Sequence, residues 1–139
     1  MGMRRITLAA AAVLVAASGV AGVTLAAAAP ASAQASCTGT SIYTDAKGYG
    51  VFIPTIGNNT HQDNCELGLG NDSDAVATLQ NTLNYCYGQH LTIDGDYGPL
   101  TEAAVKVAQR DAGITQDGVY GPQTRNAIKW YDGTPCSRL

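Results

Sequence analysis

Apolar positions recur along the second half of this chain with the period of a helix. Val76, Leu79, Gln80 and Leu83 fall at i, i+3, i+4 and i+7, and Cys86 extends that stripe. Asn71, Asp72 or Ser73 can cap the start of this helix and Gly88 can end it. Thr101, Ala104, Val105 and Ala108 mark a second helix that closes at Gly113. Thr124, Ala127, Ile128 and Tyr131 mark a third, expected to close at Gly133 with Pro135 just beyond. Upstream, residues 37–70 carry no helical period. There "YGVFIPTI" (49–56) mixes β-branched and aromatic residues with a proline, which predicts a short edge strand or extended arm, and "GNNTHQDN" (57–64) predicts a polar loop.

The helical stretch spells one phrase twice, "TIDGDYGP" (92–99) and "TQDGVYGP" (115–122), 23 positions apart. The same shift carries Thr101 to Thr124, Ala104 to Ala127, Val105 to Ile128 and Ala108 to Tyr131, so the pattern predicts a loop-plus-helix pseudo-repeat. Each part has a mechanical use. Asp-Gly is turn chemistry, with glycine free to take positive φ. Tyr97 and Tyr120 can bury a ring while keeping the hydroxyl wet. Gly-Pro leads into a helix with proline at its first position, and Thr101 and Thr124 can satisfy a free first-turn amide.

At the other end, Arg4 and Arg5 precede a charge-free stretch from Ile6 to Ala29. Ala31-Ser32-Ala33 then offers a small-x-small cleavage site, the layout of an export signal over residues 1–33. The rival is an uncleaved membrane anchor, since the stretch is long for a signal; the Ala/Gly/Ser content and the cleavage site favour removal. Gln34 stands where a lipoprotein signal ending at Cys37 would want an aliphatic residue. The organisation expected is thus a signal at 1–33, a disulfide-stapled front segment at 34–70 and a helical domain at 71–139.

The formal net charge is −3 over 139 residues, and loss of Arg4 and Arg5 with the signal takes it to −5. No basic patch or stripe is present, which speaks against nucleic acid and anionic lipid as partners. The four cysteines all lie beyond Ala33, and an even count in a small exported chain predicts two disulfides. Of three possible pairings, Cys37–Cys65 with Cys86–Cys136 is favoured, because it staples the front segment to itself and the chain's end to the first helix.

Catalytic and metal chemistry finds little support. Asp94 and Asp96 are the one tempting carboxylate pair, but Asp96 gives way to Val119 in the second copy. An EF-hand loop starting at Asp94 would want glycine and glutamate where Pro99 and Val105 stand. His61 and His90 lack partners at a metal-site or catalytic spacing, no serine has a G-x-S-x-G setting, and paired cysteines leave no thiol to attack a substrate. No cofactor, no metal and no catalytic residue is expected.

Taken together, residues 75–130 resemble the peptidoglycan-binding domain found on many bacterial cell-wall hydrolases. The likeness runs through Val76, Leu79, Gln80 and Leu83; then Asp94, Gly95, Tyr97, Gly98, Thr101, Ala104, Val105 and Gln109; then Asp117, Gly118, Gly121 and Thr124. The resemblance implies a mainly α, compact three-helix domain and non-catalytic attachment to the wall, here in a stand-alone secreted protein that is extracellular or wall-associated and not membrane-bound once mature. One departure is Ala108, where the family usually has an aromatic residue; it leaves a gap for the front segment, Trp130 or Tyr131 to fill. Candidate contacts to peptidoglycan, glycan or stem peptide, are Tyr97, Tyr120, Asp94, Asp117, Gln109 and Trp130. The competing reading makes the tyrosines core and the aspartates turn-formers. A secreted protein partner, or an inhibitor role on the same scaffold, is the alternative function, and a small wall hydrolase a weaker one.

Overall fold

The computed structural model describes residues 33–131, 133 and 135–139. Apart from Ala33, the signal expected at 1–33 lies outside them. Residues 32–139 form one compact unit. Its elements, in chain order, are β1 (Gly39–Thr44), β2 (Gly50–Thr55), α1 (Asp74–Tyr87), α2 (Pro99–Ala112) and α3 (Pro122–Ala127).

The first two helices form where their apolar stripes and caps put them. Ser73 caps α1, its hydroxyl accepting the Val76 N–H at 3.4 Å, and Gly88 ends it in the left-handed conformation. In α2 Pro99 occupies the first turn, where a missing N–H costs nothing, and Gly113 closes it at φ 73°. Val76, Leu79, Gln80 and Leu83 are buried, as are Thr101, Ala104, Val105 and Ala108.

α3 is shorter than its stripe predicts. It stops at Ala127, and Ile128 is already extended. Tertiary pairing overrides local propensity here: Trp130 exchanges backbone hydrogen bonds with Ser137 at 2.7 and 3.2 Å, and a chain that does so cannot stay helical to Gly133. The second loop is therefore followed by a six-residue helix, against fourteen residues in α2.

The front segment is a hairpin rather than a single strand. β1 and β2 pair antiparallel in the register Gly39↔Thr55 to Thr44↔Gly50, and the pair packs on α1. The turn between them is held by Asp45, whose Oδ1 accepts the N–H groups of Lys47 and Tyr49 at 2.9 and 2.8 Å. Ser137 donates to the other Asp45 oxygen, so the chain's end is tied to the hairpin turn.

Front segment and helices share one core. Val51, Ile53 and Leu67 are buried in the same cluster as Leu79, Ala108, Tyr97, Tyr120 and Trp130. Trp130 meets Tyr120 edge-on at 5.9 Å, while Tyr131 stacks outside on Tyr85 at 4.1 Å. Disulfides join Cys37 to Cys65 and Cys86 to Cys136.

Candidate functional site

The two Asp-Gly loops lie at the starts of α2 and α3, and each is gripped by one buried glutamine. Gln80 of α1 spreads its amide N–H groups over Asp94 Oδ1 (2.8 Å), the Asp96 carbonyl (3.0 Å) and Thr101 Oγ1 (3.2 Å). Its own carbonyl accepts the N–H groups of Asp94 and Gly95 at 3.1 and 3.0 Å. Gln109 of α2 does the same for the second loop, reaching Asp117 Oδ1 (2.7 Å), the Val119 carbonyl (3.0 Å) and Thr124 Oγ1 (3.0 Å) while accepting the Gly118 N–H at 2.9 Å. A buried amide with every donor and acceptor used is the condition under which burial stabilises.

Each loop aspartate also accepts an N–H two residues on, from Asp96 and from Val119 at 3.0 and 2.9 Å. The position after the glycine thus contributes only backbone, which is why Asp96 and Val119 can exchange. Gly118 sits at φ 73°, and a Cβ there would come within 2.6 Å of Glu102 Cγ, so glycine is required twice over. The two threonines point their hydroxyls into the loops, donating to the Asp96 and Val119 carbonyls at 3.4 and 3.0 Å, rather than capping a first-turn amide.

Backbone bridges fix both loops to the preceding chain. Tyr97 donates its N–H to the Asn71 carbonyl at 2.8 Å, and Leu67 and Tyr120 exchange a pair at 2.8 and 2.9 Å. The Tyr97 ring is buried and its hydroxyl donates to the Gly118 carbonyl at 2.7 Å, so one loop's tyrosine buttresses the other loop's glycine. Tyr120 is buried too, and its hydroxyl has no hydrogen-bond partner among the described residues. Neither hydroxyl is kept at the surface. Burial raises the pKa of both phenols well above the ordinary tyrosine range.

Of the six candidate contacts, Tyr97, Tyr120, Gln109 and Trp130 are buried, and all but Tyr120 bond inward through the side chain, Trp130 through its indole N–H to the Arg125 carbonyl at 3.0 Å. Their rings and amide build the site from beneath. Asp94 and Asp117 are exposed. The Gln80 amide, then the Asp96 N–H, holds the Asp94 carboxyl below the usual aspartate range. Beside this first loop runs a groove of about 200 Å³ lined by Leu91, Asp94, Asp96, Pro99 and Leu100. Leu100 is 76% exposed and was not among the candidates. It lies one position off the α2 stripe, and that misplaced apolar residue is the signal that could have found it. Among the described residues no cluster of His, Cys, Asp and Glu is arranged to hold a metal ion. None of the helices among them is long and apolar enough to cross a membrane.

Two Asp-Gly loops, each leading through Gly-Pro into a helix and each seized by a glutamine from the helix before it, define the small helical part of this fold. Residues 72–128 match the family model described as "putative peptidoglycan binding domain". Comparison with curated proteins gives no match. Among solved structures, the chain is similar to a fused Zn-dependent amidase/peptidase/peptidoglycan-binding domain-containing protein from Clostridium acetobutylicum. That likeness has 38% identity over 44% of this chain and 27% of that one, with a TM-score of 0.42. It is also similar to a peptidoglycan-binding protein from Clostridioides difficile, in complex with glutamine hydroxamate, at 22% identity over 61% of this chain and 53% of that one, with a TM-score of 0.46. The chain therefore aligns to about a quarter and about half of the lengths of these two proteins.

Proposed function

We propose that this chain is a secreted module that holds bacterial cell-wall peptidoglycan without cutting it. The observation that carries this reading is the family match over residues 72–128, which begins just before α1 and includes both glutamine-gripped loops. In this reading residues 1–33 are removed on export, 34–70 brace the domain and 71–139 bear the wall-facing loops. The doubled octapeptide is one scaffold element used twice, presenting Asp94 and Asp117 outward.

The geometry favours holding over reacting. Oδ1 of each aspartate is committed to its glutamine and to a loop N–H, so each carboxylate is fixed in place. The second oxygen remains to accept from a sugar hydroxyl or a stem-peptide amide, and the exposed Leu100 offers apolar cover beside Asp94. Such a fixed acceptor beside an apolar surface binds with little ordering cost.

Co-sedimentation tests the proposal. The oxidised chain, mixed with purified wall sacculi and centrifuged, is expected in the pellet, with no fall in turbidity of the sacculus suspension over hours. Protein left wholly in the supernatant would remove the wall-binding reading, and clearing of the suspension would remove the non-catalytic one.

A further inference from the structure

A second cavity, of about 300 Å³, lies away from the Asp-Gly loops, between the hairpin, α1 and the chain beyond α3. Gly50 and Phe52 of β2, Thr78, Asn81 and Thr82 of α1, and Tyr131 line it. Phe52, Gly50 and Tyr131 fall outside the stretch 72–128 that matches the family model, so this cavity depends on parts of the chain beyond that match.

Its chemistry is unusual for a surface hollow. Thr78, Asn81 and Thr82 stand at i, i+3 and i+4, on one face of α1. The inward polar groups of that helix are otherwise used: Gln80 grips the first loop, and Asn84 exchanges hydrogen bonds with Leu91 at 2.9 and 2.8 Å. By contrast, Thr78 and Asn81 are half-buried, and no side-chain hydrogen bond joins them or Thr82 to another described residue. Polar groups so placed serve a ligand or water.

The walls are aromatic. Phe52 stays 54% exposed on the outer side of its strand, where an apolar ring gains nothing from the fold. Tyr131 is held by its stack on Tyr85, with the ring planes 11° apart, so its orientation is set before any ligand arrives. No charged side chain lines the cavity among the described residues. Among those described residues nothing supplies a counter-charge for a carboxylate, an amine or a phosphate. The occupant that fits is uncharged, rich in hydroxyls and bearing an amide, with a C–H face to lie on a ring. The volume matches the lower end of small-molecule pockets, roughly 300–1,000 Å³.

We infer that this cavity is a subsite for an N-acetylated pyranose of a glycan strand, the sugar lying against Phe52 and Tyr131 while Asn81 and the two threonines take its acetamido group and hydroxyls. The inference rests on the wall-binding reading for the strand's source and assigns glycan, not stem peptide, to this face.

The test is a nuclear magnetic resonance titration of residues 34–139, disulfides intact, with the β-1,4-linked tetramer of N-acetylglucosamine. Saturable shifts are expected at Phe52, Thr78, Asn81 and Tyr131, with the Asp-Gly loops unmoved. Phe52→Ala and Asn81→Ala should each weaken the tetramer roughly tenfold. Leu69→Ala, an exposed apolar change elsewhere, should leave it as it was. Spectra of the variants report folding directly, and Phe52 is exposed enough for its loss to spare the core. Absent shifts, shifts confined to Asp94 and Leu100, or undiminished binding by both variants would overturn the inference. Chain that pellets with sacculi yet ignores the tetramer loses this subsite and keeps the wall reading; chain that takes the tetramer but stays in the supernatant does the reverse.

Discussion

Gln80 and Gln109 each use both ends of one side chain to set a loop's backbone, and Tyr97 and Tyr120 stand behind those loops with opposite fortunes. The Tyr97 hydroxyl is bonded to the Gly118 carbonyl, whereas the Tyr120 hydroxyl is buried without a partner among the described residues. Burying a hydroxyl unpaired costs free energy that a bonded one recovers. Tyr97→Phe should therefore lower unfolding free energy by about 1 kcal/mol, and Tyr120→Phe should raise it by about the same. Urea denaturation of the two variants beside the parent measures both, and equal losses would show that Tyr120 is satisfied after all. The repeated phrase makes these two tyrosines stand out in the sequence. Of the two glutamines that grip the loops, Gln80 does not, because it lies 14 residues before Asp94 and reads simply as a member of an apolar stripe.

At the scale of elements, α1 and α2 were legible because stripe, cap and stop agree: Ser73 and Gly88 for one, Pro99 and Gly113 for the other. α3 misleads, since Ile128 and Tyr131 continue a helical stripe that Trp130 abandons to pair with Ser137. β1 was hidden for a different reason. Its alternation is inverted, with Ser41 turned into the core against Thr55 at 3.0 Å and Ile42 left half-exposed, so hydropathy gives the wrong face. The bridge from Cys86 to Cys136 fixes the tail to the last turn of α1 across a separation of 50 residues. Replacing both cysteines by alanine should cost about 4 kcal/mol, chiefly by freeing the unfolded chain. The denaturation midpoint measures this, and a drop of less than a quarter of that size would mean the Trp130–Ser137 pairing holds the tail unaided.

For the molecule as a whole, the titrating groups set a stability plateau with two edges. Asp94 is depressed in the fold, so what it contributes is present above the unfolded aspartate value of about 3.9 and fades as pH falls through the folded one. Tyr43, Tyr87, Tyr97 and Tyr120 are all raised, chiefly by burial. Their contribution is complete below the unfolded tyrosine value of about 10 and drains away above it. Melting temperature should accordingly be flat between these limits and fall steeply beyond the upper one, and Tyr120→Phe should soften that alkaline fall. A melting temperature indifferent to pH 11 would contradict the burial of these phenols. The antiparallel pair between Leu67 and Tyr120 reaches further still. It stitches the residue ahead of the helical half to the second loop, while Val51 and Ile53 fill the same interior. Anyone hoping to borrow the helices alone as a detachable tag would cut through the keel: the portable piece is the whole hull, hairpin included.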